Sequence, residues 1–413
     1  MRRLTALLAA ACTLTAPLAS RADSLTRDAA MTLAAERGPG VAVARAPEAA
    51  YRDALDESRA LFIHSPRVMA SAGQRFSPVL GNGLEANVTV LQDIPLRAVG
   101  ARREDSARAL LAGSKAEVAG ARLDAAARAG LAWATAREAE ELLALRRSAT
   151  AEARELERLA GARVTTGTSM PSDAAIASGE VALATAAELD AEGTLTEAMN
   201  ELRFSVGAAP NTDLDPDGSL DSPREPPLDE AGALRLALER SPSVSLASSR
   251  RALARSDAAL ALASQAPTLG IGASYTHEGV GDNVWTAIVS FPLPLSRPGA
   301  YDAARQMGAA FAADREIELV RADLARAVAL AVHECHHTRE TRDAFDRAIA
   351  PLQDAVRMAR AQLVAGTSDA TTLVFARQRL LVARERSLHA TAEILRADVN
   401  LLRLAGTLLG GSS

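Results

Sequence analysis

His333-Glu334-Cys335-His336-His337 is the stretch with the most chemistry in it. It contains His-Glu-x-x-His. Two histidines four residues apart lie on one face of a helix and can share a metal ion, with the glutamate as base in zinc-dependent hydrolysis. The competing reading is a plain helix surface. The motif lies deep inside a helical stretch, Gly299 to Val364, and no third ligand is evident nearby. Cys335 falls on the apolar seam of that helix, with Ile317, Val320, Leu324, Val328, Ala331, Phe345, Ile349, Leu352, Val356 and Leu363. The seam advances in steps of three and four, a coiled-coil-like rhythm. We therefore read no catalytic residues and expect neither enzyme activity nor a cofactor. His333 and His337 remain only as weak candidate metal ligands.

The elements that position these residues come in duplicate. Gly167-Thr168-Ser169 recurs as Gly366-Thr367-Ser368, Leu202 as Leu401 and Gly207 as Gly406, each pair 199 residues apart. Leu25/Leu228, Glu36/Glu239, Arg37/Arg240 and Pro39/Pro242 are each 203 apart. That period is too long for a solenoid and marks half of the chain as a repeated unit. Each half predicts a short helix (Leu25 to Arg37, Leu228 to Arg240) stopped by the following Pro, because the residue before Pro disfavours the helical region. A second helix follows, from about Val41 to Phe62 and from about Val244 to Ser264.

Period-two alternation comes next. Val68, Ala70 and Ala72, then Leu84, Ala86, Val88 and Val90, form apolar faces in the first half. Leu269, Ile271, Ala273 and Tyr275, then Trp285, Ala287, Val289 and Phe291, do so in the second, with Ile288 blurring the pattern. These are strands with two unlike faces, giving hairpins over about 66–96 and 267–295. Long helices follow over about 98–163 and 299–364, then returning helices over about 171–207 and 369–406. Pro351 predicts a kink in the second long helix. The repeats thus span 23–208 and 228–408, joined by a Pro-, Asp- and Ser-rich linker, 209–227, with a tail at 409–413. The fold class is mainly α with a small β part.

Composition bounds the function. The chain has 413 residues, 48% hydrophobic and 23% charged, so it is not disordered. Only 3% are aromatic, and an Ala-rich apolar set suits long packed helices. A net charge of −5 with no basic patch argues against nucleic acid. Arg2 and Arg3, the apolar run Leu4 to Leu18 and Ser20-Arg21-Ala22 predict a cleaved signal peptide over 1–22. Cys12 offers an alternative, lipidated start. No other run is long enough for a membrane-spanning helix, so any membrane crossing must use strands.

In this order the motifs resemble those of the TolC-like outer-membrane efflux proteins. The family pattern is a Gly, an Asp six residues on and an Ala four further, then a helix ending in Leu and Gly. Gly167, Asp173, Ala177, Leu202 and Gly207 match it. Gly366, Ala376, Leu401 and Gly406 match it again, with Thr372 in place of the Asp. The segment Leu234 to Pro242 resembles the family's equatorial helix. The resemblance implies a homotrimer with an α-helical barrel in the periplasm and a shared 12-stranded β-barrel in outer-membrane lipid of a Gram-negative bacterium. It implies a passive exit duct for heavy metals or drugs, working with a periplasmic adaptor and an inner-membrane pump. The duct of a type I protein-secretion system is the alternative. An exported zinc metallohydrolase or a periplasmic coiled-coil scaffold are readings of another class.

Gly167, Thr168, Ser169, Asp173, Gly366, Thr367 and Ser368 are the expected adaptor-docking tips. Ser169, Ser172, Asp173 and Thr371 are also good helix-start residues, and capping is their first expected role. Phe76, Tyr275, Trp285 and Phe291 are the candidate membrane-belt aromatics, with ordinary sheet packing the competing reading. Trp133 reads as helix core.

Overall fold

In the computed structural model the described residues are 23–60, 65–79, 81–95, 99–220, 224–279, 281–291 and 299–410. The expected signal peptide and Cys12 lie outside them.

The chain runs β1 (Asp23–Leu25), α1 (Arg27–Arg37), α2 (Pro39–Arg45), α3 (Glu48–Ser58), β2 (Arg67–Arg75), β3 (Gly83–Pro95), α4 (Val99–Thr165) and α5 (Pro171–Ser205). It then repeats as β4 (Leu214–Pro216), α6 (Glu230–Arg240), α7 (Pro242–Ala263), β5 (Thr268–His277), β6 (Asn283–Ser290), α8 (Ala300–Ala365) and α9 (Ala370–Leu404). Helices α4 and α8 have 67 and 66 residues, so each reaches about 100 Å at 1.5 Å per residue. The returning helices α5 and α9 have 35 residues each. They cover only the half of each long helix next to the Gly turns. The other half of α4 packs on α1, α2, α3 and α7, and that of α8 on α6 and α7.

Four glycines end these helices in the same way. Gly167, Gly207, Gly366 and Gly406 all have φ between 69° and 76°. At Gly366 the amide donates to the Leu363 carbonyl at 3.1 Å and the Thr367 amide to that of Gln362 at 3.0 Å. The same pair of bonds closes α4, α5 and α9. This is the Schellman arrangement, which needs a left-handed residue at its hinge and selects glycine. The repeated glycines of the sequence are therefore four copies of one helix stop.

Two local expectations change, and α8 continues past its proline. The single helix expected from Val41 breaks into α2 and α3 at Ala46-Pro47, because Pro47 supplies no amide hydrogen to continue α2. Helix α8 runs through Pro351 without interruption. The linker 209–227 carries a strand: β4 pairs in parallel with β1, Asp23 opposite Leu214 and Leu25 opposite Pro216. Trp133, fully buried on α4, donates its indole N–H to the Leu25 carbonyl at 2.7 Å. Trp133 thus fastens the chain's first described strand to the long helix. It does so within a core that includes Ala30, Ala34, Leu202, Leu220 and Leu395.

Both hairpins join one antiparallel sheet in the order β2-β3-β5-β6. Its outer strands, β2 and β6, each have one neighbour.

Candidate functional site

The register sorts the sheet into two faces. Val68 sits opposite Val90, and Val90 opposite Ala273, which in turn faces Ala287. Ala70, Val88, Tyr275 and Trp285 form the next such row. Directly opposed residues share a face, so the apolar positions of all four strands lie together. They are also the exposed ones: Val68, Leu84, Trp285 and Val289 keep 65% or more of their surface. Large apolar side chains do not gather on a sheet facing water.

The opposite face is largely polar, with Met69 and Val284 on its outer strands. Thr89 and Ser274 are buried. Asn87 donates to Thr276 Oγ1 at 2.7 Å and accepts from Thr89 Oγ1 at 2.9 Å. Arg67 pairs with Asp93 at 3.0 Å, and Arg75 pairs with Glu85 and, at 3.7 Å, with Glu278. Ile288, the residue that blurred the alternation, lies on this polar face opposite Gly272, with Leu91 on the other side of the same glycine. A Cβ at Gly272 would meet the Val90 carbonyl oxygen at 2.1 Å and Leu91 Cδ1 at 3.1 Å. Glycine leaves the room that these two apolar side chains need. The alternation of apolar-out and polar-in is the pattern of a membrane β-barrel wall, and strands of 8 to 13 residues match the roughly 9–11 needed to cross. Among the described residues no helix is long and apolar enough to do so.

The aromatic candidates separate along this sheet. The rings of Tyr275 and Trp285 pack at 4.9 Å between centroids on the apolar face, one row short of the hairpin end. Phe76 is exposed just past β2, at that same end, and Phe291 is exposed one residue past β6, at the helical end.

At the far end of the helices the two Gly turns meet through a residue that sequence reasoning did not single out. Arg163, in the last turn of α4, donates from Nη1 to the Leu363 carbonyl at 2.7 Å and from Nη2 to the Thr168 carbonyl at 3.1 Å. A contact to the Ser368 carbonyl follows at 3.5 Å. One guanidinium therefore bonds a carbonyl in each of the two Gly-turn regions. The only local signal was a basic residue in a helix's last turn, where it complements the dipole. Thr168 and Thr367 stay exposed, and Ser169 and Ser368 are half-buried.

Capping is distributed differently from expectation. The N-cap of α5 is Met170, with Pro171 at its first position and no side-chain cap. Asp173 instead takes a short hydrogen bond from Ser169 Oγ. On α9 the cap is Asp369, which accepts from the Thr372 amide at 3.0 Å and its hydroxyl at 2.9 Å. These bonds hold the Asp369 carboxyl below its ordinary range. Thr372, standing where the family has Asp, is thus a partner of the cap.

His333, Glu334, His336 and His337 are exposed near the middle of α8, while Cys335 between them is fully buried. Burial, then the nearby Asp398 carboxylate, push the Cys335 thiol up to about 12. Behind it lies a buried ion pair. Arg339 Nη2 donates to both Asp398 oxygens at 2.9 and 2.7 Å, and its Nη1 to the Cys335 carbonyl at 2.8 Å. Arg339 also reaches the Glu225 carbonyl at 3.2 Å, tying the inter-repeat segment to α8 and α9.

Comparison with known proteins agrees with this geometry. Residues 233–407 match the sequence profile of the family described as outer membrane efflux protein. No curated protein matches the chain. A solved membrane protein from Pseudomonas aeruginosa is similar with a TM-score of 0.81 at 17% identity, covering 97% of each chain. The Campylobacter jejuni CmeC outer membrane channel has a TM-score of 0.79 at 13% identity, over 94% of this chain and 87% of its own. The outer membrane protein VceC of Vibrio cholerae has a TM-score of 0.78 at 16% identity, over 92% and 96%. At these identities the likeness is one of fold, and it extends over nearly the whole length. The sequence pattern of the outer membrane efflux protein family thus covers most of the second repeat, and the fold of the solved channels extends over both repeats.

Proposed function

We propose that three copies of this chain form the outer-membrane exit duct of a tripartite efflux system, a passive conduit with no chemistry of its own. One observation carries the reading. The four-stranded sheet has one apolar face, one largely polar face and two outer strands, β2 and β6, with one neighbour each. Open edges are not tolerated in lipid, and closing a shared barrel removes them. Four strands per chain in three copies make 12, and the even number per chain lets β6 of one copy meet β2 of the next antiparallel.

The helices support the same assembly. Tyr301, Leu319 and Leu330 are exposed on α8. They are 18 and 11 residues apart, about five and three turns, and so lie on one face. Helix α4 has no large hydrophobic as exposed among its described residues. Helix α7 packs on both α4 and α8, whereas its counterpart α3 packs on α4. A neighbouring copy's α8 is the natural cover for the free side of α3.

In this reading the Gly turns at the end remote from the sheet are where a periplasmic adaptor docks, with an inner-membrane pump beyond it. Thr168, Ser169, Thr367 and Ser368 offer small polar side chains that let a partner backbone approach. Tyr275, Trp285, Phe76 and Phe291 would mark the membrane boundaries. The export signal read over 1–22 fits this location. Purified protein in a planar lipid bilayer tests the reading: stepwise conductance from a trimeric species is expected. A water-soluble monomer with no conductance would overturn it. For the tips, a photocrosslinker at Thr168 or Thr367 is expected to capture the adaptor. Capture from the turn at Gly281-Asp282 instead would reverse the proposed orientation.

A further inference from the structure

The duct reading makes no use of the histidine-rich turn on α8. We propose that His333 and His337 form a two-histidine clamp for a divalent transition-metal ion of the Cu2+, Ni2+ or Zn2+ class.

The two residues are four apart on one helix, and both are exposed. Their rings already lie nearly parallel, 11° apart, with centroids at 6.1 Å. Imidazole nitrogens one turn apart need only side-chain rotation to bring both to the roughly 2 Å at which such metals are held. Imidazole suits these ions, and neither ligand has to be desolvated or pulled from a core. His337 lines a hollow between α8 and α9 with Glu334, Glu393, His389 and a single Arg386.

The clamp is open. Among the described residues no three His, Cys, Asp or Glu side chains enclose one point, so water completes the coordination. Cys335 does not compete, because its side chain is fully buried on the other side of the helix. His389 is otherwise engaged: its Nδ1 meets Glu138 at 2.8 Å. His336 lies outside the i, i+4 pair.

Cu2+ alone is the probe, added to the detergent-solubilised full-length assembly and followed by electron paramagnetic resonance. Saturable binding at one ion per chain, with two imidazole nitrogens in the coordination plane, is expected. His333→Gln and His337→Gln should each weaken binding about tenfold or more, since each removes half the protein ligands. His336→Gln and His389→Gln should leave it unchanged. Helix content and oligomer size, measured on the same samples, should not move. Absence of saturable binding, unchanged affinity in both clamp variants, or a loss in His389→Gln equal to that in His337→Gln would each overturn the clamp. A second measurement uses the unmutated protein: Cu2+ should protect His333 and His337 from acylation by diethyl pyrocarbonate, and equal labelling with and without the ion would contradict it. The clamp and the duct fail separately, because loss of Cu2+ binding leaves bilayer conductance as it was.

Discussion

Arg163 and Leu363 lie 200 residues apart in the chain and 2.7 Å apart in space, the guanidinium of one donating to the carbonyl of the other. The same guanidinium holds Thr168 at 3.1 Å. Each Gly turn ends its own helix pair, and this side chain links the two turns beyond the apolar cluster that both pairs share.

Arg163→Met should therefore loosen the tips and leave the rest in place. Loss of hydrogen bonds from a charged donor is expected to cost about 1–2 kcal/mol locally, toward the low end because the site is partly solvated. Hydrogen exchange read by mass spectrometry should rise in segments containing Thr168 and Thr367, and stay unchanged around Trp133. Arg163→Lys should recover little, since one ammonium cannot reach both carbonyls as a planar fork does.

The four glycines share a conformation but differ in surroundings. A Cβ at Gly167 meets nothing within 4 Å, whereas one at Gly406 meets Arg240 Cβ and its carbonyl oxygen at 3.0 Å. Gly167→Ala should cost only the left-handed strain, about 1–2 kcal/mol. Gly406→Ala should cost clearly more, because the end of α6 must also give way. Thermal melting of the two variants side by side measures the difference, and equal shifts would contradict it.

The Arg339–Asp398 pair should prove essential to the middle of the molecule. Asp398→Asn takes the carboxylate away from a buried guanidinium, and breaking a buried ion pair typically costs about 3–5 kcal/mol. A marked drop in the denaturant midpoint is expected. Cys335 should then become accessible to thiol reagents, having been inert before.

Much of this was legible in the sequence, for stated reasons. Schellman stops demand glycine, so their repetition survives divergence between the halves and set the 199-residue offset. Strand alternation was readable because one face of the sheet is apolar and the other largely polar. What stayed hidden was non-local or too short. Arg163, Arg339 and Asp398 act on partners far along the chain, and nothing in their neighbourhoods names those partners. Strands β1 and β4 have three residues each, too few to show a period. The helix break at Pro47 was visible and missed, because the apolar pattern on both sides of it continues.

The two faces of the sheet make a paired prediction. Ala287→Arg places a charge on the apolar face and should cost about 2–4 kcal/mol if the site is near the bilayer midplane. Thr286→Arg, one residue away on the polar face, should be tolerated. The yield of assembled protein in the outer-membrane fraction reads this directly, and equal yields would argue against lipid on the apolar side.

Closure of the barrel between copies is the central claim, and disulfide trapping tests it most directly. In a Cys335→Ala background, one cysteine is placed along β2 between Val68 and Ala72 and one along β6 between Trp285 and Val289, and the positions are scanned against each other. The account predicts that at least one register gives a covalent trimer in membranes, resistant to denaturing detergent and dissolved by reductant. Monomers at every register, or chains crosslinked within themselves from β2 to β6, would contradict it.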